Sequence, residues 1–406
     1  MVQGLLMELE DYNCWTLAEA AGHRGPHRLQ HLLSRAVWDE QQVLDAAAAW
    51  AVSHLDDRDA VLIVDETADE KSSADCCVGA ARQYSGTVGG IALCQVAVTL
   101  TYATGRGHAL IGRALYLPEG CAADEEHREL AGIPEEVLFA TKPQLAGTLL
   151  DRAHAAGIRA AFVAGDEVYS GRQLRRGIRQ RGMGYVLAVR ASHVITVGSG
   201  RAVTAAAAAR MIPARAWHRM RTGSGTKGTR HYDWAMLQVA SDDTPEGHQD
   251  GHSVLLARRH RYTGQLSYYR CWTPGPVSLS KLIAVASARW RIEEDHQLSK
   301  QSTGLDAGQV IRWRSWHRWT AICLLAYLYL AVAVAVQRQH EAGSGLDAGL
   351  IPVTVPELLR LLRDVIIPPP RRDRAHRLHW SDWRRRHQHR AREAHRRWNA
   401  YAEKTP

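Results

Sequence analysis

Phenylalanine is almost missing from this chain: two Phe stand against 13 Trp and 13 Tyr in 406 residues. Its aromatic rings are therefore mostly those with a polar handle, which serve as core or stack on bases and sugars. Cysteine is sparse and poorly arranged for cross-linking. The seven are odd in number and none form a Cys-x-x-Cys pair. That excludes a disulfide framework and a cysteine-held zinc site, and points to a reducing compartment. The sequence opens without the basic and apolar regions of a secretory leader. It shows no internal repeat. Its longest apolar run, 321–336, is short for a bilayer and ends at Gln337, so a buried core helix is expected, with a membrane-associated protein as the rival reading. Acidic residues are in deficit: 42 Asp and Glu against 51 Lys and Arg leave a net charge of +9. Such a balance favours a polyanionic partner, most simply nucleic acid. What is abundant is apolar material, at 46%, in a chain long enough for a large core.

Residues 1–57 read as helical. Helices over 15–21 and 27–36 flank a Gly/Pro break at 22–26, and Asp39, with Glu40 behind it, is an N-cap for a third that runs to His54. Helix, glycine turn, helix fits a DNA-reading helix-turn-helix or a plain helical bundle. From residue 60 the period changes. Val61-Leu62-Ile63-Val64 is a buried strand with Asp65 at its tip. Strands are expected over 79–84, 93–102 and 109–117, then an acidic loop with a short helix over 121–136 and an amphipathic helix over 142–156. The run 159–164 is a second buried strand that leads into Gly165-Asp166, followed by a basic helix over 171–181 and a strand over 185–189. Residues 191–275 break this rhythm with strand-like pieces at 217–221, 231–239, 253–258 and 266–272 around the Ala-rich run 202–209. Long helices over 282–300 and 313–337 follow. A linker over 341–349, a helix over 355–365 stopped by prolines, and a tail over 371–398 dense in Arg, His and Trp complete the chain. The expected class is α/β, a mixed sheet with flanking helices. The expected divisions are a helical domain over 1–57, a core over 58–190 and 276–340, a mostly β insertion over 191–275, and a C-terminal helix with basic tail over 341–406.

The stretch 289–300, Arg-Trp-Arg-Ile-Glu-Glu-Asp-His-Gln-Leu-Ser-Lys, carries the densest chemistry. On a helix, Arg289, Glu293, His296 and Lys300 share one face. A carboxylate between two long cations suits a metal ligand flanked by phosphate grips, or a solvated helix with stabilising charge pairs. Glu294 is turned about 100° away from that face, so Glu293 is the preferred acid. Together with Asp65 and Asp166 at strand tips it describes a carboxylate triad. Ligands bind at the C-terminal edge of parallel strands, and two hard cations about 3.5–4 Å apart held by such oxygens fit phosphodiester chemistry.

These residues resemble a family. Val64-Asp65-Glu66-Thr67, then Gly79-Ala80-Ala81-Arg82-Gln83-Tyr84-Ser85-Gly86-Thr87 and Cys94-Gln95-Val96-Ala97-Val98, are similar to the first catalytic block of DDE-type insertion-sequence transposases. Leu115-Tyr116-Leu117-Pro118 and Phe139-Ala140-Thr141-Lys142-Pro143 resemble the family's spacer. Gly165-Asp166-Glu167-Val168-Tyr169, with the strand 185–189, resembles the second block. The stretch 290–300, Gly304-Leu305-Asp306 and Trp313-Arg314-Ser315-Trp316-His317-Arg318 resemble the third. The resemblance covers nearly the whole chain. It implies an RNase H-like core with a β insertion, and catalytic, metal-holding roles for Asp65, Asp166 and Glu293. It implies two Mg²⁺ ions, with Mn²⁺ able to substitute. The reaction implied is cutting at transposon ends, followed by transfer of the freed 3′-hydroxyl into target DNA. The implied partners are double-stranded DNA, at inverted-repeat ends and target, and a second copy of the chain. The implied place is the nucleoid of a bacterial cytoplasm. In the related hairpin-forming group a Tyr, Arg, Glu and Lys surround the third carboxylate. Arg289, Glu293 and Lys300 match the last three, but Ala286 stands at the Tyr position.

Other residues carry lesser claims. Arg82 and Lys142 are candidate contacts to DNA phosphates, as are Lys227 and Arg230 in a basic turn of the insertion. Tyr84 either holds DNA or packs. Trp234 and Trp272 stack on a displaced base or fill the core. Asp69 and Asp75 are expected in a loop beyond Asp65 and are set aside as spectators. The basic tail is expected to be solvated and to bind DNA without sequence preference. A transposase-derived DNA-binding regulator that cuts nothing is the alternative function.

Overall fold

The computed structural model describes residues 1–73, 77–86, 89–198, 200–225, 228–344 and 350–402. Four helices come first: α1 (Val2–Leu6), α2 (Cys14–Ala20), α3 (His27–Ser34) and α4 (Glu40–Leu55). Short polar side chains set their starts. Asn13 accepts from the backbone N–H groups of Trp15 and Thr16 in a capping box, and Asp39 accepts from those of Gln41 and Gln42.

The sheet begins with β1 (Val61–Glu70), β2 (Ala81–Ser85), β3 (Gly90–Ala103) and β4 (His108–Tyr116). Then come α5 (Glu119–Ala123), α6 (Glu125–Ala131), α7 (Lys142–Ala155), β5 (Phe162–Gly165), α8 (Arg172–Gln180) and β6 (Gly184–Val189). β1 runs parallel to β5, and β5 parallel to β6; β3 lies antiparallel to β1 on its other side. β1 is longer than its apolar run predicts. The polar half, Asp65 to Glu70, pairs residue for residue with Thr99 to Cys94 of β3. Asp69 is thus a strand residue and not part of a loop; a fully paired neighbour supplies the backbone bonds that the apolar pattern alone does not announce. Asp75 lies outside the described residues.

The next segment holds a hairpin of β7 (Val194–Thr196) and β8 (Ala202–Thr204), then α9 (Ala205–Met211), β9 (His218–Gly225), β10 (Gly228–Gln238), β11 (His252–Arg259) and β12 (Leu266–Thr273). These last four strands extend the main sheet. β12 pairs antiparallel with β6, giving the order β2-β3-β1-β5-β6-β12-β11-β10-β9 with β4 on β3. These four strands are thus joined by backbone hydrogen bonds to the sheet that carries Asp65. An ionic knot ties α8 to β12: buried Asp243 receives Arg175 (3.0 Å) and Arg179 (2.6 Å) of α8, and half-exposed Asp242 receives Arg175 (2.7 Å) and Arg270 of β12 (2.9 Å).

The chain ends in helices: α10 (Leu279–Ala288), α11 (Trp290–Thr303), α12 (Trp313–Ser344), α13 (Val355–Val365) and α14 (Arg374–Ala402). The helix expected over 282–300 is therefore two, interrupted at Arg289, whose own dihedrals stay helical. Leu62, Val64 and Leu100 on one face of the sheet pack with α4, α7 and α12. Ile63, Phe162 and Val186 on the other face pack with Leu282 of α10 and Ile292 of α11. α12 is long and apolar enough to cross a bilayer, and 78% of its most apolar stretch is buried inside the protein. The basic tail departs from expectation. It is one helix, α14, whose Trp380 is fully buried and donates to the His23 carbonyl at 2.9 Å.

Candidate active site

Two parallel strands deliver the first two acids. Val64 lies opposite Gly165, the last pair of the β1/β5 ladder, so Asp65 continues along β1 while Asp166, the next residue after β5, stands just past the end of the neighbouring strand. Glycine is required at 165, where a Cβ would lie 2.9 Å from Val64 Cγ2. Asp166 turns the chain: its Oδ1 accepts the Val168 N–H at 2.9 Å. Asp65 follows Ile63 onto the α10/α11 face of β1 and is only 7% exposed. Its Oδ1 accepts the Glu66 N–H, and its Oδ2 accepts from Arg289 Nη1, both at 2.9 Å. Burial pushes the Asp65 carboxyl up to about 7; Arg289 opposes this, while Asp166 and Glu293 add to it. Burial raises Asp166 as well, with Glu66 the next cause.

α11 brings the third acid by running alongside β1 in the same direction. Its start meets the tip of the apolar run through Arg289–Asp65, and its end meets the polar half through Lys300–Asp69 at 2.5 Å. Four strand residues cover about 13 Å and eleven helical residues about 16 Å, so the two register. Glu293 sits one turn beyond Arg289, at 3.7 Å, with its side chain 43% exposed. Glu294 points elsewhere, to His108 Nε2 at 3.2 Å. His296 is buried and bonds Thr99 Oγ1 at 2.7 Å, and burial followed by Lys300 pulls its pKa down to about 4. The face of α11 away from β1 is pinned by Asp295. This fully buried carboxylate receives Thr101 Oγ1 (2.7 Å), His108 Nδ1 (2.8 Å) and the Tyr327 hydroxyl of α12. Burial alone would lower His108, but Asp295 and Glu294 outweigh it and raise the imidazole to about 9.

The structure brings Asp65, Asp166, Glu293 and Arg289 together. Lys300 lies at the far end of α11, also bonded to the Ala68 carbonyl at 3.1 Å. Lys142 stands behind the sheet with Glu66, at 2.8 Å, and the Tyr169 hydroxyl donates to the same carboxylate. Arg82 is exposed on the end strand β2. Arg230 is exposed, and the register through β6, β12, β11 and β10 puts it at the sheet edge that carries Asp65 and Asp166. Lys227 lies outside the described residues. Trp234 and Trp272 are core: Trp234 stacks on Tyr269, and Trp272 packs under Arg179 with its N–H on the Asp250 carbonyl. Tyr84 is largely exposed. Sequence reasoning alone misses Glu66, Asp295 and His108 and discounts Asp69. For Glu66 and Asp69 a signal exists in the alternation of Asp65-Glu66-Thr67-Ala68-Asp69-Glu70; Asp295 and His108 carry none.

Among the described residues, no three acid, His or Cys side chains converge closely enough to enclose an ion, and Arg289 holds the buried oxygen of Asp65. The donor set nevertheless fits a hard divalent cation. It consists of carboxylates, two of them raised by burial, with Asp65 raised further by the other two, a strain that bound positive charge relieves.

The model of the family described as DDE superfamily endonuclease matches residues 1–211, which contain Asp65 and Asp166. That of the transposase DDE domain matches residues 140–329, which contain Asp166 and Glu293. A probable transposase for insertion sequence element IS701 from Microchaete diplosiphon is 24% identical over 198 residues, 48% of this chain and 48% of that protein. The match thus spans about half the length of that curated relative. With the endonuclease family covering more than half of the residues, and with Asp65 and Asp166 each directly following the paired Val64 and Gly165, this chain belongs to the DDE superfamily of endonucleases.

Proposed function

We propose that the chain is the DNA transposase of an insertion sequence: it cleaves the element's ends and joins the freed 3′-hydroxyl to target DNA. One observation carries the reading, Asp65 and Asp166 directly after the paired Val64 and Gly165, with Glu293 presented by α11. Bound at these three carboxylates, divalent ions, Mg²⁺ or Mn²⁺, supply a Lewis acid that activates the attacking oxygen and stabilises the leaving one. The protein's own part is positional. Asp295 fixes the rotation of α11, and so the side on which Glu293 faces Asp65. Arg289 and Lys300 offer cations along the same face to the flanking phosphates, and Arg82 and Arg230 extend that contact. In this reading residues 58–190 and 276–340 form an RNase H-like core, 191–275 its insertion, and two copies hold two ends at the bacterial nucleoid.

The test uses a plasmid carrying the gene with its native flanking DNA, incubated with purified protein and Mg²⁺. Strand breaks are mapped at nucleotide resolution for wild type and Asp166→Asn. Breaks at a pair of inverted repeats in wild type alone support the proposal. Protected but uncut DNA with both proteins moves the assignment to a non-cutting regulator. Equal cutting by the variant removes Asp166 from the chemistry.

A further inference from the structure

α14 is fastened to the start of the chain by one face. Along it His376, Trp380, Trp383, Arg384, His387 and Ala391 are buried or half-buried, at the spacing of a single helical stripe. Trp383 packs edge-on to Trp15 at 4.8 Å and stacks on His387. His376 Nε2 bonds the Glu19 carbonyl and His379 Nε2 the Arg24 carbonyl, each at 2.8 Å, and Arg384 pairs with Glu19 at 2.5 Å. The loop between α2 and α3 and the docked half of α14 therefore form one unit built from both ends of the chain.

The opposite side of α14 is cationic. Advancing 100° per residue, Arg385, Arg386, His389, Arg390 and Arg392 fall within an arc about 160° wide, centred away from the docked stripe. All five are exposed. Only Asp382, 3.9 Å from Arg385, faces them as an ion-pair partner among the described residues; Glu393 pairs with Arg396 instead, at 2.8 Å. These five side chains and their neighbours line an open hollow of about 950 Å³, lined by none of the residues of the carboxylate site. Exposed basic side chains continue with Arg28 and His31 on α3 and Arg35 just beyond its end, and α3 begins beside α14, where the His27 ring lies 5.9 Å from Trp383.

We infer that the free face of α14 is a second DNA-binding surface, independent of the carboxylate site, that holds the phosphate backbone of duplex DNA without reading its sequence. The charge fits a polyanion. The breadth of the arc, with the cations spread over it and not gathered on one edge, fits phosphates on the two sides of a groove better than a row of base edges. The aromatic anchor makes the helix a fixed arm of the N-terminal helices, so DNA held there is positioned relative to the rest of the protein.

The test is metal-free, in EDTA, so that binding is read without cutting. Fluorescence anisotropy of a 30-bp duplex is followed from 50 to 300 mM KCl for the full chain and for Arg385→Gln/Arg386→Gln/Arg390→Gln/Arg392→Gln. The four side chains are exposed, so an unchanged melting temperature verifies the fold. The expected result is affinity at least tenfold weaker at low salt, with the log–log salt slope smaller by about 3 to 4, or about 0.9 for each phosphate no longer neutralised. The loss is the same for the element's ends and for random sequence. A companion variant with Lys at the four positions keeps the wild-type slope, because phosphates accept a point charge. An unchanged slope in the Gln variant, a loss confined to one sequence, failure of Lys to rescue, or a preference for anionic vesicles or single-stranded RNA over duplex DNA overturns the inference. The measurement stands apart from end cleavage: absence of cutting with the slope change intact rejects the transposase and keeps the arm.

Discussion

Asp65→Asn should stabilise the metal-free protein above neutral pH while removing its chemistry. The carboxyl is buried, and its pKa moves from 3.8 to about 7 on folding. A proton is thus held more tightly in the folded than in the unfolded state. The stability this lends is whole below pH 4 and is lost as pH rises through 7. Three units at 1.36 kcal/mol each amount to about 4 kcal/mol. Asn keeps a carbonyl oxygen for Arg289 but cannot ionise. In urea titrations with EDTA, wild type and variant should differ little at pH 4, diverge between pH 4 and 7, and stand about 4 kcal/mol apart at pH 8, the variant being more stable. Under the proposed function, saturating Mg²⁺ flattens the wild-type pH dependence and leaves that of the variant unchanged. A variant no more stable than wild type at pH 8, or a gap already complete at pH 4, would show that Arg289 and solvent keep Asp65 ionised without penalty, and the argument for a strained carboxylate cluster would fall.

Glu293→Gln should reduce end cleavage by about a hundredfold or more, whereas Glu294→Gln should leave cleavage largely intact and lower the His108 pKa from about 9, as read by NMR titration of its ring protons. Trp380→Ala deletes a fully buried indole and its bond to His23. It should cost about 3–5 kcal/mol, seen as a lower Tm and faster tryptic cutting within α14. Asp243→Ala leaves Arg175 and Arg179 without their shared carboxylate in the interior, at a loss of about 3–5 kcal/mol, measurable as a lower urea midpoint.

Local signals make much of this architecture readable. Asp39 is a side chain that caps a helix where it precedes one, and it does so here. Apolar runs ending in an acid locate Asp65 and the end of β5, because a buried parallel strand leaves no alternation to misread; Asp65 is nevertheless mid-strand and not a tip, since β1 runs on to Glu70. What stays hidden is the partner of each charge. The run 171–181 reads only as a basic helix, yet Arg175 and Arg179 are interior, paired with Asp242 and Asp243 more than sixty residues later in the sequence. The tail looks like a solvated run for the same reason: nothing near Trp380 in sequence reveals that the turn after α2 offers it a carbonyl. Asp69 looks like a loop residue because only half of β1 is apolar; its other half is made a strand by β3. Periodicity reports burial of an element and is silent on the tertiary pairing that decides where an isolated charge ends up.

The same pairing has a consequence for how DNA meets α11. Both cations of its site-facing stripe are already satisfied inside the protein, Arg289 by Asp65 and Lys300 by Asp69. A phosphate that recruits Lys300 must compete with a carboxylate whose side chain is only 12% exposed, where screening is weaker than at the surface. Asp69→Asn removes the competitor's charge and leaves the strand and its side-chain shape in place. If Lys300 is a phosphate contact, the variant should bind duplex DNA severalfold more tightly in EDTA, with a log–log salt slope steeper by up to about 0.9. Lys300→Met should lower affinity in wild type and cancel the gain in the Asp69→Asn background, since the two changes act through one contact. An Asp69→Asn protein with unchanged slope and reduced melting temperature would instead assign the pair to structure, a clasp between the end of α11 and the polar half of β1. Arg289 would then be the only cation of the stripe left to meet DNA.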